Sequence, residues 1–341
     1  MTNNPTGFLF IKIIKLIIML KNLFEQKKCF KLVCGAGNED ADEVEKLVTI
    51  YSLAGCNFFD VCAKEEIVDA AKRGIKNSGI HKDRYICVSV GIEGDPHIKK
   101  AEINHKLCTQ CGNCVNFCKQ DAIINVNNDY KINQERCIGC SQCFKTCPQK
   151  AITMNSKIIN YNEVLPKLIN KGIDCIEFHA ISEDEKDIEI KWKEINTLFN
   201  GLLSISLDRS LLGDEKLIKR VNEMIRIRKP YSTIIQADGI AMSGDDNEWS
   251  TTLQAVATAQ LFQKANLPVY IMMSGGTNAK SVELANKCKV FPHCIAIGSY
   301  ARKIIKEYLQ DDILSNKELL NKAVLTAKNL VSISLGDFNY D

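Results

Sequence analysis

The chain has 341 residues, of which 45% are hydrophobic and 25% are charged, and it carries a formal net charge of +3 at pH 7. These fractions are those of a globular protein, and the length allows one large domain or two ordinary ones. So small a net charge gives no support to a broad surface for nucleic acid or anionic membrane.

The N-terminal run FLFIKIIKLIIML, residues 8–20, resembles a membrane anchor. It is too short for a spanning helix and contains Lys12 and Lys15, so we expect no stable membrane insertion. A signal peptide would have basic residues before the run and small residues after it, and both are missing. Two interpretations stay open for residues 1–27: an amphipathic helix on a membrane surface, or a poorly ordered segment with the effective start at Met19.

Eight apolar runs alternate with helix-like segments along the rest of the chain. Each run is continuously apolar, which is typical of parallel strands buried on both faces. Eight strand–helix units predict an α/β fold, a (β/α)8 TIM-like barrel. The alternative is an open doubly wound sheet, but CGAGNED at 34–40 lacks the third glycine of that fold's phosphate turn. The predicted strands are 30–34, 56–62, 85–91, 175–179, 202–207, 232–238, 268–276 and 294–299.

A cysteine-rich segment separates the third predicted strand from the fourth. We place an inserted ferredoxin-like domain with two [4Fe–4S] clusters at residues 98–156, between barrel parts at 28–97 and 157–312. Residues 313–341 are then a C-terminal helical extension.

The insertion repeats one cysteine pattern, C-x2-C-x2-C-x3-C, in CTQCGNCVNFCKQDAI at 108–123 and CIGCSQCFKTCPQKAI at 137–152. This spacing is typical of bacterial two-cluster ferredoxins, in which the fourth cysteine of each run ligates the other cluster. Thiolates suit the chemistry because iron in such clusters binds soft sulfur strongly. The predicted metal ligands are Cys108, Cys111, Cys114 and Cys147 for one [4Fe–4S] cluster, and Cys137, Cys140, Cys143 and Cys118 for the other.

Zinc and disulfide bonds are the alternatives to this interpretation. Zinc sites normally use separated pairs of cysteines, and disulfide frameworks belong to short secreted chains. Most of the other eight cysteines lie in apolar runs such as YICVSV, where cysteine acts as a small hydrophobic residue. We therefore expect a reducing, cytoplasmic location. Lys119 stands where the second run has Pro148, so the turn after Cys118 is expected to be looser.

The C-terminal ends of barrel strands carry function in this fold, and two glycine loops lie at the last two ends. SGGTN and GSYAR predict a site for a phosphate group or a flavin, because glycines let backbone N–H groups approach phosphate oxygens. The alternative is that the glycines only turn the loops. The predicted cofactor-binding residues are Gly275, Gly276, Thr277, Gly298 and Ser299.

Further polar residues at strand ends have no assigned role. Asp60, Glu177, His179 and Asp238 form either an acid–base set or a structural hydrogen-bonding set. The polar loop 238–252 is either a lid over the mouth or an ordinary solvated loop. No catalytic triad, Walker loop or zinc motif is present, so the catalytic residues are unknown.

Several stretches together resemble the light-dependent period protein family of cyanobacteria over residues 28–310. They are FKLVCGAGNED, the paired cysteine runs, IQADGIAMSGDDN, LPVYIMMSGGTNAKS and CIAIGSYAR. The resemblance implies an iron–sulfur redox sensor that reports cellular redox state to the circadian clock. It also implies two clusters and contact with clock-associated proteins.

The sequence therefore predicts an electron-transfer protein and redox sensor more than an enzyme. Its partners would be a redox donor or acceptor and clock-associated proteins, and not nucleic acid. The alternative is an oxidoreductase in which the clusters pass electrons to a flavin or a phosphorylated substrate at the barrel mouth.

Overall fold

The computed structural model describes residues 19–93, 95, 99–127, 129–156, 159–209, 212–239, 248–310 and 312–336. Two expectations fall at least partly outside these ranges: the N-terminal segment before residue 19, and residues 240–247 of the suggested lid.

Eight parallel strands close into a barrel, as the apolar runs predict. The barrel strands are β1 (Cys29–Val33), β2 (Phe58–Cys62), β3 (Tyr85–Gly91), β8 (Cys175–His179), β9 (Leu202–Leu207), β10 (Thr233–Asp238), β11 (Tyr270–Ser274) and β12 (Cys294–Ile297). The insertion adds β4 (Lys99–Ile103), β5 (Ile123–Val126), β6 (Asp129–Ile132) and β7 (Ile152–Ser156). The order around the barrel is β1, β12, β11, β10, β9, β8, β3, β2, which confirms the (β/α)8 prediction.

Helices surround the barrel. Four of the outer helices begin at a side-chain cap; Asp40, for example, accepts from the N–H of Glu43 at 3.0 Å. Among the described residues, no helix is long and apolar enough to cross a membrane. The outer helices are Ala41–Leu53, Glu65–Ser78, Tyr161–Asn170, Glu185–Leu198, Asp214–Ile225, Trp249–Ala265, Ser281–Lys287, Ser299–Ile305 and Lys317–Ser334.

The interior of the barrel has an apolar half at the N-terminal ends of the strands. Phe58, Leu202 and Tyr270 fill it together with small thiol side chains. A helical segment at residues 19–25 closes this end, and its Phe24 stacks on Tyr270 with ring centroids 5.0 Å apart. Part of the predicted N-terminal segment 1–27 is therefore core: Leu20 and Phe24 are fully buried because they complete the floor of the barrel.

The insertion is built from two antiparallel strand pairs, β4 with β7 and β5 with β6. Two short helices, Asn113–Asn116 and Gln142–Thr146, contain the third cysteine of each run, Cys114 and Cys143. The pair β4–β7 runs from Lys99 opposite Ser156 to Ile103 opposite Ile152, so both ends of the insertion enter through one two-stranded stalk. The stalk leaves the barrel just after β3, at the C-terminal end of the strands.

Candidate cluster sites and barrel mouth

The eight cysteines of the repeat surround two separate cavities of about 20 Å³ each. No group of three His, Cys, Asp or Glu side chains in the described ranges closes around a single metal ion, whereas four thiols surround each cavity. A cubane cluster needs thiolates spread around a body of several atoms, and four thiols around a cavity agree with that requirement. One cavity is lined by Cys108, Cys111, Cys114 and Cys147, the other by Cys118, Cys137, Cys140 and Cys143. We call them the outer and the inner cysteine set.

Backbone N–H groups point at the sulfur atoms in both sets. Ala122 donates to Sγ of Cys118 at 3.3 Å, and Ala151 donates to Sγ of Cys147 at 3.3 Å. The repeated Ala-Ile pair thus has a local reason: the alanine N–H binds the last thiol of its run, and the isoleucine begins β5 or β7. Such donors stabilise the charged form of the thiol.

The thiols of the inner set are held close together in a poorly solvated place. Burial and the neighbouring thiols Cys140, Cys137 and Cys118 raise the pKa of Cys143 to about 12. Four thiolates here are therefore unfavourable unless a cationic group compensates them. The iron atoms of a cluster would supply that compensation, so the residues fit the group.

The two sets differ in exposure. Cys111 of the outer set is exposed, whereas Cys137 and Cys143 of the inner set are each 8% exposed. Gln120 and Ile138 line the inner cavity and also line a larger cavity at the mouth of the barrel. The inner set is therefore separated from the barrel mouth by one layer of side chains.

The mouth cavity has a volume of about 120 Å³, and the structure brings all five predicted cofactor-binding residues into its lining. Gly275 and Gly276 have φ values of +66° and +80°, a region that favours glycine. The hydroxyl of Thr277 donates to the carbonyl of Ala296 in β12 at 2.5 Å, so it is used within the barrel wall. The two glycine loops therefore present mainly backbone atoms to the cavity.

A buried polar network fills the C-terminal half of the barrel beneath this cavity. Lys31 of β1 is fully buried, and its Nζ lies 2.5 Å from Oε2 of Glu177, 3.0 Å from Oε1 of Gln236 and 3.4 Å from Oδ2 of Asp60. Burial alone would lower the pKa of Lys31, but Asp60 and Glu177 outweigh it and raise this pKa well above the usual value. Lys31 is therefore charged.

Glu177 is the centre of the network. Besides Lys31 it accepts from Nε2 of Gln236 at 2.9 Å and from the hydroxyl of Ser204 at 3.1 Å, and Nε2 of His179 lies 3.3 Å away. Burial would raise the pKa of Glu177, but Lys31 and His179 outweigh it and hold this pKa below its usual range. Glu177 is therefore an anion that holds its neighbours in place.

His179 joins this network to Asp95, whose Oδ2 lies 2.8 Å from its Nδ1. Burial would lower the pKa of His179, yet Asp95 and Glu177 together raise it well above the usual value. In contrast, Asp60 lies beside one cation and a second carboxylate, and burial raises its pKa despite Lys31. The four acid–base candidates thus share one end of the barrel; Asp238 accepts a hydrogen bond from Ser206 there.

Sequence reasoning missed Lys31 and Asp95. The only signal for Lys31 is a lysine in the middle of the apolar run FKLVC, because a charged residue inside a buried strand must have a partner. Asp95 lies in the connection between β3 and β4 and carries no pattern that could have identified it.

Several ion pairs and hydrogen bonds fasten the insertion to the barrel. Arg302, which pairs with Glu43 of the barrel at 2.5 Å, donates across to the carbonyl of Lys119 at 3.2 Å, next to Cys118, and Arg136 of the insertion pairs with Asp40 at 2.8 Å. Lys100 of the insertion donates to the carbonyl of Gly37 in the barrel at 2.5 Å, and within the insertion to the carbonyl of Cys137 at 2.7 Å. Lys119, which replaces the proline of the pattern, thus offers its carbonyl to a barrel arginine.

These features define an iron–sulfur protein with a (β/α)8 barrel, and a match to the 4Fe-4S dicluster domain over residues 101–154 supports this class. Residues 167–333 match the light dependent period A C-terminal domain. The resemblance to the light-dependent period protein family is thereby confirmed, and the chain carries that family's C-terminal domain.

The curated protein "Light dependent period A" of Synechococcus elongatus is 29% identical over 324 residues, which are 89% of this chain and 90% of that protein. Among solved structures, the tryptophan synthase alpha chain from Legionella pneumophila is 10% identical, with 96% of this chain and 98% of that chain covered and a TM-score of 0.47. The YdjI aldolase from Escherichia coli K12 is 7% identical, with 94% of each chain covered and a TM-score of 0.46. Neither of these two similarities bears on function.

Proposed function

We propose that this protein is a redox sensor that holds two [4Fe–4S] clusters, one in each cysteine set. The outer set would hold one cluster through Cys108, Cys111, Cys114 and Cys147, and the inner set the other through Cys118, Cys137, Cys140 and Cys143. Clusters of this kind supply one-electron chemistry at potentials of about −400 mV. The protein's own part is to hold the thiolates, donate hydrogen bonds to them and limit solvent access.

The observation that carries the proposal is the wall shared by the inner set and the barrel mouth. Gln120 and Ile138 belong to both cavities, so a change of charge within the inner set acts directly on the mouth. Two further links are Arg302, which donates to the carbonyl of Lys119 beside Cys118, and Lys100, which donates to the carbonyls of both Cys137 and Gly37 of the barrel. A sensor needs such a link, because a change of charge matters only when another surface responds to it.

The name of the Synechococcus elongatus relative connects that protein with a light-dependent period. By analogy we propose that this chain reports redox state to a circadian clock through clock-associated proteins in the cytoplasm. The resemblance supports this partner class, and the sensing role does not depend on it.

Anaerobic purification tests the proposal. Two cubanes require about eight iron and eight sulfide per chain and visible absorption that bleaches with dithionite. Replacing Cys140 with serine should remove about half of the iron, whereas Cys288→Ser, outside both sets, should remove none. Partner binding is then compared in the oxidised and reduced states, and identical binding in both would contradict the sensing role.

A second candidate is the oxidoreductase, and the position of the glycine loops favours it. Gly275, Gly276, Thr277, Gly298 and Ser299 line the same cavity that Ile138 closes, so a flavin or phosphorylated substrate there would lie beside the inner set. Denaturing anaerobically purified protein and searching for released flavin or phosphate compounds tests this role. If neither a flavin nor a phosphate compound is released, the oxidoreductase role is contradicted and the redox-sensor role remains.

A further inference from the structure

The barrel mouth has features that redox sensing does not require. Sensing needs the cysteine sets and a responsive surface, and an apolar barrel would serve as scaffold. The N-terminal half of this barrel is apolar, whereas the C-terminal half buries charged residues next to a cavity. Burying charge is costly even when it is paired, so a polar half beside a cavity indicates a binding site.

The charges at the mouth do not balance. Eight charged side chains that are each at most 9% exposed line the cavity or pair with a lining residue, and the partly buried Asp208 also lines it. Of the eight, three are cationic and five are carboxylates, so these eight have a formal excess of two negative charges. The eight are Lys31, His179, Arg302, Glu43, Asp60, Asp95, Glu177 and Asp238.

The cations are already engaged by this set. Lys31 lies between Glu177 and Asp60, His179 between Asp95 and Glu177, and Arg302 pairs with Glu43. Asp60 shares its cation with Glu177, which holds Lys31 at the shorter distance. The carboxylate of Asp60 therefore lines the cavity with incomplete compensation.

An independent observation also points to a ligand. Ser274, at the end of β11, is 6% exposed and lines the cavity. Its hydroxyl makes no hydrogen bond to any residue that the structure describes. Asp238 is its neighbour in the register of β10 and β11, and Asp60 lies on the opposite wall, because β2 and β10 are four strands apart around the barrel. Acceptors thus face the cavity from two sides.

We propose that the mouth cavity binds a small organic ammonium compound, held by Asp60 and Asp238 on opposite walls and by the hydroxyl of Ser274. An ammonium group donates to carboxylates and hydroxyls, and it adds positive charge where carboxylates outnumber cations among the described buried side chains. A volume of about 120 Å³ has room for about eight water-sized groups, which suits a molecule of that size. The glycine loops form the rim, where an anionic end of the same molecule would lie.

Binding of ethanolamine and putrescine to the anaerobic, cluster-containing protein tests this proposal. Both probes should raise the melting temperature and give a saturable calorimetric signal, whereas acetate and glycerol phosphate should bind more weakly. Asp60→Asn and Ser274→Ala should weaken binding of the ammonium probes about tenfold or more. The matched control Glu189→Gln replaces an exposed carboxylate that pairs with Lys193, and it should bind like wild type.

The stability of the Asp60→Asn protein without a probe gives a second readout. Because the change removes one of two carboxylates that share Lys31, the melting temperature should stay level or rise while probe binding falls. A purely structural role predicts a lower melting temperature instead. The proposal is overturned if the ammonium probes do not bind, if they bind both variants like wild type, or if only the anions bind. Iron content, measured on the same samples, reports separately on the cluster proposal.

Discussion

Replacing Lys31 with methionine tests whether the buried network is organised by charge. Methionine keeps the length and apolar stem of the side chain, so the change removes the ammonium group with little loss of packing. Glu177 and Asp60 would then lie at 1% and 2% exposure without the cation they share. We expect a large loss of stability at neutral pH.

The magnitude follows from the contacts of Nζ. The group lies 2.5 Å from Glu177, 3.0 Å from Gln236 and 3.4 Å from Asp60, so its loss breaks a fully buried ion pair and leaves an uncompensated charge. Breaking such a pair costs about 3–5 kcal/mol of the free energy of unfolding. Adding Glu177→Gln removes the uncompensated charge, so the double variant should be more stable than Lys31→Met alone.

Urea unfolding of the anaerobic protein measures this loss by tryptophan fluorescence in a Trp249→Phe background, in which Trp192 is the remaining tryptophan. That side chain is 2% exposed and lies against Phe178, with ring centroids 6.0 Å apart, so it reports on the barrel. Lys193→Met, which removes an exposed lysine, is the control and should leave the unfolding midpoint unchanged. A loss below about 1 kcal/mol for Lys31→Met, or a double variant less stable than the single one, would refute the charge argument.

Three other predictions concern separate parts of the molecule. Arg302→Met should lower the free energy of unfolding by about 3 kcal/mol, because it leaves Glu43 buried without its cation. It should also speed proteolysis within the insertion. Adding Glu43→Gln should restore part of the lost stability. His179 has a raised pKa in the folded state, so its stabilisation is complete below about pH 6.5 and is lost as the pH rises through the folded value, by up to about 1.4 kcal/mol per pH unit. His179→Gln should flatten this part of the stability–pH curve, and an unchanged slope would contradict the assignment. Phe24→Ala should cost about 3–5 kcal/mol in urea unfolding, because it opens a cavity at the closed end of the barrel, and a much smaller loss would mean that residues 19–25 do not belong to the core.

The strands could be predicted because parallel strands buried on both faces must be apolar throughout. The predicted spans 85–91, 175–179 and 202–207 coincide with β3, β8 and β9. The insertion could be recognised because cluster ligands have a fixed spacing along the chain. The grouping of the glycine loops at one cavity also follows from the fold, since the C-terminal ends of barrel strands meet at one face.

The charged network could not be predicted, because its partners meet only when the barrel closes. Lys31 is 146 positions from Glu177 and 205 from Gln236, and nothing in a local pattern connects them. Asp60, Glu177 and His179 could be identified as strand-end residues, but whether they were catalytic or structural depended on contacts across the barrel. The helical plug at residues 19–25 was obscured for a related reason: its apolar side chains gain a partner only at the closed end of the barrel.

The place of the insertion explains why its cysteines lie beside the barrel mouth. The chain leaves after β3, at the C-terminal end of the strands, and returns before the helix Tyr161–Asn170, so the inserted domain starts and ends on the mouth side. Both connections pass through the antiparallel pair β4–β7. The insertion is therefore attached by two hydrogen-bonded strands, which limits its rotation relative to the barrel. A cluster domain joined by one flexible linker would transmit little to the barrel, because the linker would absorb its movement. Here the inner set is linked to the barrel through the stalk, through Ile138 and Gln120 at the mouth, through Arg302, and through ion pairs such as that of Arg136 with Asp40 at 2.8 Å.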